Sequence, residues 1–159
     1  QLAFLPFGNG VERILQNTPM GAHLMGLDLL KHDQKHILRA AQEGIVAALT
    51  FGFRIMKDMG MDLKTVKAGH ANMFLSPLFR ETFVQMNQVS LELYDTDGAQ
   101  GAARGAGIGA GVFASEEEAF HGLALLQTLA PDAAKADRYE EVYRTWLARL
   151  EQLQKSTHN

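Results

Sequence analysis

Four consecutive residues, Gly69-His70-Ala71-Asn72, join a backbone without a side chain, an imidazole, a second small residue and a carboxamide. Placed between a strand and a helix, small residues let backbone amides approach an anion such as a phosphate. A carboxamide offers paired donor and acceptor groups to the edge of a base. Gly69, His70, Ala71 and Asn72 are therefore the candidate nucleotide-binding residues. Taken alone, the loop reads more readily as an ordinary strand-to-helix turn, because Gly-containing turns of that kind are common.

The other chemistry-bearing residues point elsewhere. Gly105-Ala-Gly107-Ile-Gly109-Ala110 satisfies the relaxed G-x-G-x-x-A dinucleotide pattern. That fingerprint requires its glycines directly after a strand, and here helix-like sequence intervenes, so it is rejected. His32 and His36 are four apart, a spacing that can hold a metal, but the H-E-x-x-H pattern is absent and Asp33 is better used as a helix cap. Asp95 and Asp97 precede a helix and read as caps, not as a general base pair. Glu116, Glu117 and Glu118 fall in a helix first turn, where they favour the dipole. His23, His121 and His158 carry no partner signal. No Ser, His and Asp constellation is present, so no catalytic residue and no metal ligand is nominated.

The elements that must position the loop follow from periodicity. Residues 2–7 are compatible with a short strand ended by Pro6 and the Gly8-Asn9-Gly10 turn, and residues 23–30 form a second short apolar run. A long helix follows Asp33, with Ile37, Leu38, Ala41, Ile45, Ala48, Leu49, Ile55, Met56 and Met59 at three- and four-residue steps and Gly60 as its stop. Gly44 and Gly52 share one face and predict a closely packed neighbour. Thr65 to Gly69 reads as a short buried strand. Ser76-Pro77 opens a helix whose buried face is Phe79, Phe83 and Met86. Val89, Leu91 and Leu93 alternate with polar positions as in a half-buried strand.

Asp95-Thr96-Asp97 then caps a helix of small residues from Gly98 to Gly111. Each helix Gly costs about 1 kcal/mol relative to Ala, so this composition predicts a tight steric demand. Ser115 with Glu118 reads as a capping box. After Pro131 a final amphipathic helix carries Tyr139, Val142, Tyr143, Trp146, Leu147, Leu150 and Leu153 on one stripe, which is core or interface. Strands alternating with helices predict an α/β domain.

The chain has 159 residues, enough for a single domain with a real core. Its 47% apolar and 21% charged residues are ordinary for a globular protein. A net charge of −3 without a basic cluster argues against nucleic acid as a partner. There is no cysteine, which excludes disulfides and thiol catalysis and fits a cytoplasmic location. No apolar run is long enough to span a membrane. The oligomeric state stays open, a homodimer included. The first residues, Gln1-Leu-Ala-Phe-Leu-Pro-Phe7, open directly in strand-like sequence without Met, which favours a C-terminal piece of a longer protein.

The order of these motifs resembles the C-terminal nucleotide-binding half of the FGGY carbohydrate kinases, in particular the xylulose kinases. The similarity rests on Gly69-His70-Ala71 followed by Ser76-Pro77-Leu78-Phe79, on Asp97-Gly98-Ala99 leading into Gly101-Ala102-Ala103, on Gly10-Val11-Glu12-Arg13, and on Glu43-Gly44 within the long helix. It covers most of residues 4–113 and adds little beyond about residue 120. The family carries two or three consecutive glycines where this chain has Ala68-Gly69-His70.

The resemblance implies an actin-like, ribonuclease-H-like ATPase domain, residues 1–159 forming the C-terminal part of a two-domain sugar kinase. It implies ATP with Mg²⁺, a ketose held mainly by an N-terminal domain that this chain lacks, and transfer of the γ-phosphoryl group to D-xylulose in the intact protein. By the same resemblance Gly69, His70, Ala71 and Asn72 fall at the nucleotide. Part of a nucleotide wall does not position metal, nucleotide and acceptor together, so this chain alone is expected to be inactive. The alternatives are a kinase for another ketose or polyol and a non-catalytic actin-like nucleotide-binding scaffold.

Overall fold

The computed structural model describes residues 2–9 and 11–157. Gly10, in the expected turn and in the Gly-Val-Glu-Arg element, and His158 lie outside them. Four short strands open the chain: β1 (Ala3–Leu5), β2 (Val11–Glu12), β3 (Thr18–Pro19) and β4 (His23–Met25). β1 pairs antiparallel with β4, and β2 with β3. The run expected over 23–30 is strand only to Met25, where Gly26 turns the chain at φ 77°.

Helix α1 (Gln34–Asp58) begins where Asp33 accepts the amides of Lys35 and His36. It ends at Met59, and Gly60 takes φ 90°, a conformation that costs glycine little. The two glycines expected to share a close neighbour behave differently. A Cβ on Gly44 would run into the carbonyl of Phe4, whose carbon lies 2.9 Å away, so β1 crosses α1 there. Gly52 meets nothing within 4 Å.

Strand β5 (Thr65–Gly69) runs parallel to β6 (Ser90–Tyr94), and α2 (Pro77–Asn87) connects them. Parallel neighbours require such a crossover. Ser76 caps α2 by accepting the Phe79 amide, with Pro77 at the first helical position, as the sequence predicts. Helix α3 (Gly98–Gly109) is capped by Asp97 through the Gln100 amide. Helix α4 (Glu116–Phe120) is capped by Ser115, while the Glu118 carboxylate reaches back to the amide of Ala114, one residue before the cap.

A strand that the sequence pattern does not announce, β7 (Leu125–Leu129), pairs antiparallel with the far side of β6. Its Leu-Leu-Gln-Thr-Leu lacks alternation because four of its five residues are exposed, leaving no face to pattern. Helix α5 (Ala136–Thr157) closes the chain.

The core lies where α1, α2 and α5 meet β1 and one face of the β5-β6-β7 sheet. Leu5, Phe7, Val46, Phe79, Phe83, Leu91, Leu93, Tyr143, Trp146 and Leu150 are all buried in it. Each large side chain removed from water contributes about 1.5–3 kcal/mol. The stripe on α5 resolves as core: Trp146 packs near Phe7 and stacks with Tyr143, and its Nε1 donates to Phe4 O at 2.9 Å.

Candidate functional site

The loop after β5 turns sharply. The Ala71 amide donates to Gly69 O at 2.8 Å, closing a three-residue turn, and the His70 amide donates to Tyr94 O at 2.9 Å. The end of β6 makes the same turn, the Thr96 amide donating to Tyr94 O at 2.9 Å. Gly69 is required by this geometry. A Cβ there would strike the carbonyl of Thr96, whose carbon is 3.1 Å away. The two strand ends thus lie against each other, and the glycine serves that contact first.

Asn72 follows at φ 50°, left-handed backbone that asparagine tolerates better than most residues. It opens a 3₁₀ turn, Asn72–Leu75, with the Phe74 amide donating to Ala71 O at 3.1 Å. His70 and Asn72 are exposed, whereas Gly69 and Ala71 are partly covered.

A cavity of about 380 Å³ gathers this loop against two other elements. Gly69, Ala71, Asn72 and Met73 form one side, Asp97 and Gly98 at the start of α3 a second, and Ile45 and Leu49 of α1 an apolar third. Three of the four candidate residues therefore line one space, and His70 is not among the residues lining it. A second cavity of about 540 Å³ shares Ala68 and Gly69 and is bordered by the Glu116 and Glu117 carboxylates against the single ammonium of Lys67. Two carboxylates outnumber the one ammonium there, whereas the smaller cavity gathers three of the four candidate residues, so the smaller cavity is the nucleotide candidate.

The character of that cavity is uneven. Ile45, Leu49, Met73 and Phe74 give an apolar wall suited to the face of a base, and Asn72 sets a carboxamide beside it. No Lys or Arg is among its lining residues, and Asp97 is already engaged as the α3 cap. The site fits the adenosine end of a nucleotide. It does not by itself supply the positive charge that a triphosphate requires.

The sequence placed Ile45 and Leu49 only in the apolar period of α1; Leu49 is 43% exposed, and both line the cavity. Periodicity marks an apolar face without saying whether protein or ligand covers it. Among the described residues no three His, Cys, Asp or Glu side chains gather as a metal site. His32 Nδ1 accepts the Asp28 amide at 3.0 Å, and Asp33 acts as the cap that the sequence predicts. No helix of the described residues is long and apolar enough to cross a membrane.

No family model matches the sequence. No curated protein sequence matches it either. Solved structures do. The chain superposes on a xylulose kinase from Rhodospirillum rubrum with a TM-score of 0.76 and 23% identity, over 99% of this chain and 32% of that one. A gluconate kinase from Lactobacillus acidophilus gives 0.71 and 18%, over 96% and 31%. A glycerol kinase from Plasmodium falciparum, solved with ADP, gives 0.67 and 18%, over 93% and 30%. The α/β actin-like ATPase fold expected from the sequence is the fold these proteins share with the chain. The chain spans about a third of the length of the kinases it matches.

Proposed function

We propose that this chain is the C-terminal, ATP-binding part of an FGGY-family carbohydrate kinase, and that the intact protein phosphorylates D-xylulose to D-xylulose 5-phosphate. One observation carries the reading. The expected loop and the start of the small-residue helix, 25 or more residues apart in sequence, converge on one cavity at the C-terminal ends of two parallel strands. Ligands of open α/β sheets bind at such strand ends. The fold shared with xylulose, gluconate and glycerol kinases supports the reaction class.

In this reading Ile45, Leu49 and Met73 receive the base, Asn72 meets its polar edge or the ribose, and Gly69 keeps the floor thin. The His70 and Ala71 amides are committed within the chain. Phosphate oxygens therefore look beyond this loop for their donors, in the rest of the intact protein. His70, exposed beside the loop, approaches from the rim. Mg²⁺ supplies charge neutralisation when bound, and the described residues offer it no ligand cluster. Metal, sugar and general base then belong to the rest of a longer protein, and the 159-residue chain alone is inactive.

The matched gluconate and glycerol kinases favour a second reading in which the acceptor is another ketose, a sugar acid or a polyol. ADP release by the intact protein, assayed across ketoses, polyols and gluconate with the isolated chain as control, separates the two. Turnover with D-xylulose and none by the isolated chain is the expected result. Turnover with a different acceptor replaces the substrate, and none with any acceptor leaves a nucleotide-binding scaffold.

A further inference from the structure

Two side chains that do not line the candidate cavity hold its loop in place. Arg80, on the first turn of α2, donates from Nη1 to Phe74 O at 3.0 Å. It makes no ion pair with a carboxylate among the described residues, and its buried Nε finds no acceptor there. A partly buried guanidinium whose one side-chain bond is to a loop carbonyl is an expensive way to build an ordinary helix. Its effect is to fix the 3₁₀ turn that begins at Asn72.

The second tie comes from α1. Ser76 Oγ accepts the Phe79 amide at 3.3 Å as the cap of α2 and donates to Gln42 Oε1 at 2.6 Å. Gln42 lies one turn before Ile45, and Ile45 and Leu49 form the apolar wall of the cavity. The Ser76–Gln42 bond therefore joins the end of the loop to the helix opposite it. Between the two ties the Phe74 ring is held edge-on by Phe79 and Phe83, at centroid distances of 5.3 and 5.6 Å. Phe74 is thus fixed at its ring by packing and at its carbonyl by Arg80, while Asn72 stays exposed in left-handed backbone.

We infer that Arg80 and Gln42 are positioning residues that set the width of the nucleotide cavity. This rests on the reading of that cavity as the nucleotide site. Arg80 fixes the height of the turn through the Phe74 carbonyl. Gln42 fixes the distance from the turn to the α1 wall through Ser76. Without them the left-handed Asn72 relaxes, because among the described residues no other side chain bonds the turn from outside it.

The test uses the intact protein with Arg80→Met, Arg80→Lys and Gln42→Met. It combines hydrogen–deuterium exchange of peptides covering residues 69–77 with calorimetric titration by Mg·ATP. A hydrogen bond from a charged group corresponds to about a tenfold effect. Arg80→Met is expected to speed exchange at 72–76 by about tenfold and to raise the Kd for Mg·ATP by a similar factor, and Gln42→Met by about threefold. Arg80→Lys restores part of both, and exchange in β1 and β6 does not move.

Unchanged exchange at 72–76 in both Arg80→Met and Gln42→Met overturns the positioning role whatever the nucleotide does. Faster exchange with an unchanged Kd overturns its link to the nucleotide. A wild-type protein that takes up no Mg·ATP, its 69–77 amides indifferent to it, overturns the nucleotide reading and this inference with it. That failure is visible before any variant is made.

Discussion

The two halves of this molecule are built on different terms. Around α1, α2, α5 and β1, side chains from elements far apart in sequence bury one another, and polar ties join some of those distant elements. Trp146 on α5 bonds to Phe4 in β1, 142 residues away. Arg54 on α1 pairs with Glu140 on α5 and lies 3.9 Å over the Tyr143 ring. The other half, from α3 through β7, has little of this. Helix α3 buries no residue, and β7 is exposed along four of its five positions.

The candidate cavity lies on the seam between them. One wall is fixed by the packed half through Ile45, Leu49, Phe74 and Phe79, and the other, Asp97 and Gly98, belongs to the open half. A site built that way has a preformed apolar side and a side that further protein or ligand can still move.

The comparison is broken most decisively by Trp146→Ala. If the packed half carries the stability, removing this side chain costs about 3–5 kcal/mol in urea unfolding, because it empties a buried volume and frees the Phe4 carbonyl. A loss under 1 kcal/mol contradicts the division drawn here.

A pair of identical substitutions sharpens it. Gly44→Ala forces a methyl against the Phe4 carbonyl and costs about 1–3 kcal/mol. Gly105→Ala meets nothing within 4 Å and is expected to stabilise α3 by about 0.5–1 kcal/mol, through helix propensity alone. Thermal unfolding of both variants decides the matter. Destabilisation by both shows that α3 is packed as α1 is, and stabilisation by both shows that Gly44 is not crowded.

The smallest effect concerns pH. Hydrogen bonding to the Arg54 guanidinium, aided by Arg144, holds the Glu140 carboxyl below its ordinary value of 4.5. Its folded-state value is therefore lower than its unfolded one. The stability it contributes is fully present above about pH 4.5 and is lost as pH falls from there through the lowered folded value. Both side chains are partly exposed, so Glu140→Gln costs under about 1 kcal/mol at neutral pH and flattens the acid limb of stability below about pH 4.5. An unchanged acid limb removes Glu140 from the packed half's polar ties.

Sequence alone determined a good deal. Asp33, Ser76, Asp97 and Ser115 each announced a helix start, because capping is a local hydrogen bond between a side chain and an amide two or three residues on. The β5 and β6 strands and the turn at Gly69 were legible for the same reason, their signals lying within a few residues. The loop Gly69–Asn72 stood out as a candidate because Gly69 and Ala71 are small residues at a strand end, and three of its four residues line one cavity.

Tertiary structure decided the rest. That Gly44 meets a strand and Gly52 meets space depends on where β1 crosses α1, which no local pattern encodes. Strand β7 has no alternation to read, because its pairing with β6 comes from backbone hydrogen bonds between residues more than 30 positions apart and not from a buried face. The cavity wall at Ile45 and Leu49, and the tie from Gln42, exist only once α1 and α2 are laid side by side. Local bonds are written in neighbouring residues, whereas a cavity is the space left when distant ones have packed.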